Sequence, residues 1–272
     1  ITLMLLFSAA TFAQRDTIAL NKNWRFKTDK KAEGFTNKWF SKNWSDGRIV
    51  SVPHTWNIEK ENEKHYGWAW YQQKLFVPAN WKGKQVVLQF GAINHTATIY
   101  INGKKVKENI GDGFNKFFIN LDGLLNFNTE NTITVACNND FGKMKIPYAE
   151  SFDWPNDGGI IREVALLVSN RPAMAYAHIT PKLNVETNQG DVKINIGLRQ
   201  SDANKNLKFK VQITEDNQAT HNVVLQATVT PVWENGEAVL TFTLPKVNPW
   251  HFDFPNLYRA NISLLKGTKA TD

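Results

Sequence analysis

The sequence predicts an all-β protein of two sandwiches, and three observations lead to that fold class. Short apolar or alternating runs recur along the 272-residue chain and are separated by turn residues, as in the strands of a sandwich. No stretch has the pattern of a long amphipathic helix. The 10 Trp and 17 Phe residues suit aromatic-rich β-domains better than a helical bundle.

The first 13 residues read as a targeting segment rather than as part of a domain. Residues 1–13 form an apolar run that ends in small residues, which is typical of a secretory signal peptide and too short to span a bilayer. No initiator Met or basic region precedes the run, so we expect a partial signal peptide. The single cysteine, Cys137, excludes a disulfide framework. We therefore expect an exported protein, periplasmic or extracellular, on the signal alone.

Residues 14–170 are predicted to form the first sandwich. Its strands are expected at residues 75–77, 85–90, 97–101, 131–137 and 164–168. Asn102-Gly103 follows the third of these and is the dipeptide that a tight type I′ hairpin prefers. Several short strands joined by such turns indicate a sandwich or jelly roll.

A domain boundary is predicted near residues 170–172, where Pro172 cannot continue a central strand. Residues 171–272 then carry alternating strands at 178–180, 192–196, 208–213, 238–242 and 258–264. About 100 residues of this kind is the size of an immunoglobulin-like sandwich. We expect this second domain to act as a spacer or packing module.

Asp153 and Trp154 are the leading candidates for a binding site. They stand shortly before Gly158 and Gly159, and a glycine pair lets backbone approach closely and hold an acid at the rim of a sheet. A carboxylate accepts hydrogen bonds from hydroxyls and an aromatic face covers an apolar surface, so the pair suits a sugar. The alternative is that Asp153 only begins a turn and Trp154 belongs to the core. Asp157 is interpreted as a turn residue, with a cation or a hydroxyl contact left open.

Charge and histidine spacing favour no other class of function. The formal net charge of +7 is spread over turns and strand edges with no nucleic-acid motif, so we expect no nucleic-acid partner. The six histidines lack metal-ligand spacing, and we expect no metal and no cofactor. His54 and His95 are interpreted as polar residues at strand ends.

Four motifs occur in an order that resembles glycoside hydrolase family 2. They are VPHTWN at residues 52–57, YGWAWY at 66–71, FGAINHTATIYING at 90–103 and DWPNDGGIIREV at 153–164. The resemblance covers about residues 20 to 265 and is greatest to the β-galactosidase branch. It implies a galactose-binding-like jelly roll followed by an immunoglobulin-like domain. In the family a catalytic barrel comes next, and we expect it to lie beyond residue 272 of this fragment.

The resemblance also implies how the chemistry is divided. Family members are retaining enzymes that use two carboxylates about 5–5.5 Å apart, and both would stand on that barrel. Asn62-Glu63 copies the family's acid/base dipeptide but lies among charged residues, so Glu63 is not predicted to be catalytic. We expect no catalytic residue in this chain and no hydrolysis by it alone.

By the same resemblance, Asn94 and Asp153 would bind hydroxyls of a terminal sugar, with Trp154 beside them. Having both residues favours a terminal β-galactoside, with a β-glucuronidase or β-mannosidase relative as the alternative. Asn94 could instead cap a strand turn. Residues 154–157 and Ile161 depart from the residues common in close relatives, so the loop could shape a different subsite.

Three hypotheses follow from the sequence. The first is the N-terminal part of an exported glycosidase, whose partners are a carbohydrate and the barrel of the same chain. The second is a stand-alone carbohydrate-binding protein. The third is a structural sandwich without a sugar site. A membrane span is not expected, and a homo-oligomer is left open.

Overall fold

A computed structural model describes residues 15–110, 112–143, 145–151, 153–199, 206–216 and 221–272. The predicted signal segment, residues 1–13, lies outside the described residues. The described part divides into two units, one of Asp16–Val168 and one of Arg15 with residues 169–272.

The first unit is a sandwich of a four-stranded and a six-stranded sheet. The smaller sheet has the order β1-β10-β5-β8 and the larger has the order β3-β2-β4-β9-β6-β7. The strands are β1 Asp16–Ala19, β2 Trp24–Thr28, β3 Arg48–Val50, β4 Trp68–Val77, β5 Gln85–Phe90, β6 Thr96–Ile101, β7 Lys104–Asn109, β8 Phe117–Asn120, β9 Thr129–Asn138 and β10 Val164–Ser169. Short 3₁₀ turns occupy Trp39–Ser41 and Ala79–Trp81.

The central strands of the larger sheet are buried on both faces. Tyr71 of β4 and Val135 of β9 belong to the core between the two sheets. Their neighbours Trp70 and Ala136 belong to a second cluster, since successive side chains of a strand point to opposite faces. Trp39, from the segment between β2 and β3, packs on that second cluster. This double burial leaves consecutive residues buried in both strands, 69–73 in β4 and 133–138 in β9.

The second unit is a sandwich of two four-stranded sheets. Their orders are β11-β12-β16-β15 and β14-β13-β17-β18. The strands are β11 Met174–Asn184, β12 Gln189–Leu198, β13 Leu207–Glu215, β14 Val223–Val229, β15 Val232–Glu234, β16 Glu237–Leu244, β17 Tyr258–Lys266 and β18 Lys269–Ala270. Its core joins Ile194 and Leu240 of one sheet to Phe209 and Leu264 of the other.

The predicted fold class is confirmed: both halves of the chain are β-sandwiches, a jelly roll and an immunoglobulin-like domain. The Asn102-Gly103 hairpin is also confirmed, because β6 pairs with β7 and both turn residues have positive φ, 52° and 79°. Cys137 is buried and free. Within the described ranges, no helix has the length and apolar character needed to cross a membrane.

Candidate functional site

The segment from Asn156 to Gly159 is fixed in place by a network of buried amides. The network consists of four asparagines: Asn57, Asn94, Asn139 and Asn156. Asn139 Nδ2 donates to Asn57 Oδ1 (2.9 Å) and to the main-chain oxygen of Asn156 (2.7 Å). Asn57 Oδ1 also accepts from the Gly158 N–H (2.9 Å). Because buried amides are costly when unpaired, these bonds hold the segment in one conformation.

Both glycines of this segment are needed for close packing. A Cβ on Gly158 would lie 2.2 Å from Trp56 Cζ2. A Cβ on Gly159 would lie 2.0 Å from the main-chain oxygen of His54, and Gly159 has a φ of +149°. A side chain at Gly158 would have to displace the side chains of Trp56 and Asn139, and one at Gly159 would have to move the His54 main chain. The sequence argument for close backbone approach is thus supported at both residues.

Asn94 lies on the other side of the same segment. Its main chain pairs with Gly159 in both directions, at 2.9 and 3.2 Å. Its Nδ2 donates to Asn156 Oδ1 (3.2 Å) and to the main-chain oxygen of Asp157 (2.9 Å). A carbonyl can only accept, so the bond to Asp157 fixes the orientation of the amide.

The other atom of that amide, Asn94 Oδ1, is buried and has no hydrogen-bond partner among the described residues. The same holds for both ring nitrogens of His95, which is 1% exposed. Gly113 covers them, since a Cβ there would lie 2.5 Å from Asn94 Oδ1 and 2.7 Å from His95 Nδ1. Asn94 is itself 3% exposed. It therefore supports the loop with its Nδ2 and keeps one unused acceptor.

Asp153 and Trp154 are exposed on the rim of this network. Ser151 Oγ donates to Asp153 Oδ1. Trp154 is 50% exposed, and its ring meets Phe114 edge-to-face at 6.3 Å. Phe114 in turn meets the His95 ring at 5.5 Å. An exposed carboxylate and a half-exposed indole are thus presented side by side, with aromatic contacts leading from the indole down to His95.

The three predicted site residues share one end of the first sandwich, but they differ in exposure. Asp153 and Trp154 face solvent, whereas Asn94 is buried. No hydrogen bond joins the Asn94 and Asp153 side chains in the described structure. The alternative that Trp154 belongs to the core is wrong, because half of it is exposed. Asn94 bonds across to Asn156 and Asp157, so it has a structural role in holding the loop.

Asp157 is half-buried beside Asn94, and burial raises the pKa of its carboxyl group. Glu63, which copies a catalytic dipeptide, is exposed in a charged loop. The adjacent Asn62 is buried and donates to Glu59 Oε2 (2.9 Å), which the sequence reading of a fully solvated loop missed. Among the described residues no group of His, Cys, Asp and Glu could hold a metal ion.

Sequence reasoning missed the supporting residues of this site. Asn139 and Asn156 were not singled out, and His54 and His95 were taken as strand-end residues. The structure instead places His95 at the buried unpartnered site, and His54 between Tyr71 and Glu59. The available signal was the recurrence of Asn at residues 57, 94, 138, 139 and 156, four of them beside a motif or a strand end.

Comparison with known proteins supplies the family. The profile described as "Glycosyl hydrolases family 2, sugar binding domain" matches residues 60–170, and the profile "Glycosyl hydrolases family 2" matches residues 174–272. The chain belongs to glycosyl hydrolase family 2. Residues 94, 153 and 154 all fall within the part matched as the sugar-binding domain.

Relatives within family 2 carry the names of two activities. A β-glucuronidase of Bacteroides fragilis is 27% identical over 99% of this chain and 38% of its own length. A β-galactosidase of Thermoanaerobacter pseudethanolicus is 26% identical over 95% of the chain and 34% of its own length. A solved β-glucuronidase from an uncultured Clostridium superposes with a TM-score of 0.73 at 26% identity, over 98% of this chain and 45% of that one. This chain therefore spans less than half the length of each.

Proposed function

We propose that this chain is the sugar-contacting part of an exported family 2 glycosidase that hydrolyses terminal β-glycosides. In this proposal Asp153 and Trp154 contact the terminal sugar, and the buried Asn94 holds their loop through its Nδ2. The two catalytic carboxylates of a retaining glycosidase stand on a further domain of the whole protein. The lengths of the relatives, which exceed twice that of this chain, support such a domain.

The observation that carries the proposal is the contrast between a rigid support and an open rim. Four buried asparagines fix the loop, while Asp153 and Trp154 remain free of the core. Folding alone does not require an acid and an indole to be exposed together on this loop. A pyranose fits that pair, since its hydroxyls donate to the carboxylate and its apolar face packs on the indole.

A neutral β-galactoside is the first candidate for the terminal sugar. The polar groups that the loop exposes are acceptors, namely the carboxylates of Asp153 and of the half-buried Asp157. Such a set suits hydroxyl donors and repels a second carboxylate. A β-glucuronide is the second candidate, favoured by the β-glucuronidase names of several relatives. Its carboxylate would then need a cation beside these acceptors.

The test is kinetic and uses the full-length protein. We expect hydrolysis of a chromogenic β-galactoside or β-glucuronide, with the larger kcat/KM identifying the sugar. Asp153→Asn keeps the size of the side chain and removes its charge. It should lower kcat/KM about 10- to 150-fold, because a hydrogen bond to a charged group contributes about 1.5–3 kcal/mol.

Asp46→Asn is the matched control, since Asp46 is an exposed carboxylate of the same sandwich paired with Lys27. It should leave kcat/KM within about twofold. Equal kinetics for Asp153→Asn and the parent would remove Asp153 from the site. An absence of hydrolysis of every β-glycoside would overturn the proposed function. Export is tested separately, by locating the full-length protein in cell fractions.

A further inference from the structure

Residues 153–159, which bear Asp153 and Trp154, are called the sugar loop below. The side chain of His54 is held at both ring nitrogens on the core side of this loop. Its Nδ1 lies 2.7 Å from the hydroxyl of Tyr71, which is fully buried. Its Nε2 lies 3.1 Å from Glu59 Oε1. Glu59 is itself held by Arg48 and by Asn62 Nδ2. A chain of hydrogen bonds therefore runs from the surface ion pair of Arg48 and Glu59 to a hydroxyl inside the core.

The direction of these bonds follows from the chemistry of the groups. An ionised carboxylate can only accept, so the shorter contact of His54 Nε2, to Glu59 (3.1 Å), assigns the proton to Nε2. The longer approach of the Arg48 guanidinium to Nε2 (3.4 Å) is then a contact without a hydrogen bond. In the neutral imidazole Nδ1 is then the acceptor, and Tyr71 donates to it. Although burial opposes it, hydrogen bonds from Arg48, Asn62 and His54 lower the pKa of Glu59, which keeps the carboxylate ionised.

His54 and Tyr71 also pack against the end of the sugar loop, at Gly159 and Ile160. The His54 N–H donates to the main-chain oxygen of Ile160 (2.9 Å). A Cβ on Gly159 would lie 2.0 Å from the His54 oxygen and 3.0 Å from the Tyr71 hydroxyl. On its opposite side Gly159 pairs with Asn94. Gly159 therefore lies between His54 and Tyr71 on one side and Asn94 on the other.

We propose that Glu59, His54 and Tyr71 are positioning residues, which together set the Gly159–Ile160 backbone and through it Asn94, whose Nδ2 holds the loop that bears Asp153. This inference rests on the proposed function for its consequence in catalysis. The coupling itself is a property of the described chain. The relay formed by Glu59, His54 and Tyr71 ends inside the core, where Tyr71 is fully buried.

The charged and titratable groups around the relay make it respond to pH. The groups that face His54 and Tyr71 are Arg48 of β3, Glu59, and Cys137 of β9. Burial lowers the pKa of His54, against the opposing effect of the Glu59 carboxylate. Below that pKa a proton occupies Nδ1, and Tyr71 can no longer donate to it. Acid should therefore change the contact that lies against Gly159.

Nuclear magnetic resonance on the 272-residue chain tests the coupling. In the parent, the amide resonance of Gly159 should titrate with the same midpoint as the His54 imidazole, below the ordinary histidine value. Tyr71→Phe removes only the hydroxyl. It should end the response of Gly159 to His54, and it should speed hydrogen exchange of the Gly159 and Asn94 amides about 10-fold.

Tyr100→Phe is the matched control. Tyr100 is also a buried tyrosine of the larger sheet, but it belongs to the cluster on the other face and stacks on Phe40 at 4.5 Å. It should leave Gly159 exchange and titration unchanged. Equal acceleration by the two substitutions would reduce Tyr71 to a packing role and overturn the proposal.

A second pair of variants serves if Tyr71→Phe does not fold. Glu59→Gln retains an oxygen that can accept from Nε2, whereas Glu59→Ala removes it. Gln should therefore preserve exchange protection at Gly159 and Ala should lose it. The proposal would also be overturned if the chemical shift of the Gly159 amide in the parent did not change as His54 titrates. If Gly159 follows the relay but the full-length protein cleaves no glycoside, the positioning holds and the proposed function fails.

Discussion

The two sandwiches of this chain share an architecture but differ in what they bury. In the first, Trp24, Trp56, Trp70 and Tyr71 are completely enclosed. In the second the core is aliphatic, apart from Phe209. The buried polar residues of the described second unit are Ser169, Thr271 and Asp272. The first unit encloses the amide network, His95 and the Tyr71 hydroxyl that meets His54.

The difference shows that buried polar groups are not required for a β-sandwich to fold and are instead associated with the candidate site. A buried polar group lowers stability unless it is paired, and the second sandwich shows that two sheets pack without many of them. Part of the polar interior of the first sandwich, the four-asparagine network with His95, lies behind the loop that carries Asp153. We interpret it as the support of that loop, and the following experiments test this contrast in order of expected effect.

Gly159→Ala should give the largest effect. Its Cβ would meet the His54 oxygen at 2.0 Å, and we expect a loss of about 3 kcal/mol or more in the unfolding free energy of the first sandwich. Gly236→Ala is the counterpart in the second sandwich, at φ +83° with no heavy atom within 4 Å of the new Cβ. It should cost about 1 kcal/mol. Chemical denaturation measures both, and equal losses would deny the crowding at Gly159.

Asn139→Asp should rank next. The substitution places an oxygen against two acceptors, Asn57 Oδ1 and the Asn156 carbonyl, so we expect a loss of about 2–3 kcal/mol. Gln212→Glu is the amide-to-acid control in the second sandwich, where Gln212 bonds to Gln226 at the surface (3.3 Å). Its effect should stay within about 0.5 kcal/mol. If Asn139→Asp lost no more unfolding free energy than Gln212→Glu, the network would not support the loop.

Mild acid should weaken the first sandwich before the second. Burial lowers the pKa of His54 and of His95, so their neutral forms stabilise the fold. That stability is present above the unfolded value of about 6.5 and is lost as pH falls through the lower folded values. The buried Trp24, Trp56 and Trp70 make tryptophan emission a probe of the first sandwich.

The described histidines of the second sandwich, His178, His221 and His251, lie at the surface. Unfolding followed by tryptophan emission should therefore need less denaturant at pH 5 than at pH 7. The double variant His54→Gln, His95→Gln should lose most of this dependence. An unchanged dependence in that variant would assign it to other groups.

Asp157→Asn should give the smallest effect, and its sign is the informative part. Burial raises the pKa of Asp157, so the stability contributed by its neutral form is lost as pH rises through the folded value. A neutral amide should then stabilise the first sandwich at pH 7, by about 0.5 kcal/mol or less. Asp216→Asn in the second sandwich should destabilise slightly, because Asp216 Oδ2 accepts two bonds from Arg259. Stabilisation by both variants would contradict the distinction.

The sequence predicted many of the strands and the turn at Asn102-Gly103 because these depend on residues that are adjacent in the sequence. Alternation along residues 97–101 and the following Asn102-Gly103 are local signals, and the structure has β6, the turn and β7 there. The motif around Gly158 and Gly159 likewise located the loop with Asp153 and Trp154. The burial of Asn94 was not predicted, because its position before β6 resembles that of an exposed turn residue.

What the sequence determined by itself was therefore the fold class, the family resemblance and the loop that bears the candidate site. Only the tertiary structure decided what supports that loop. Asn139 bonds to Asn57 and to Asn156, and both partners come from other segments of the chain. His54 and Tyr71 also come from different segments and meet in the folded protein. A strand pattern reports which face a residue occupies, but the partner of a buried amide or imidazole is chosen by how distant segments pack.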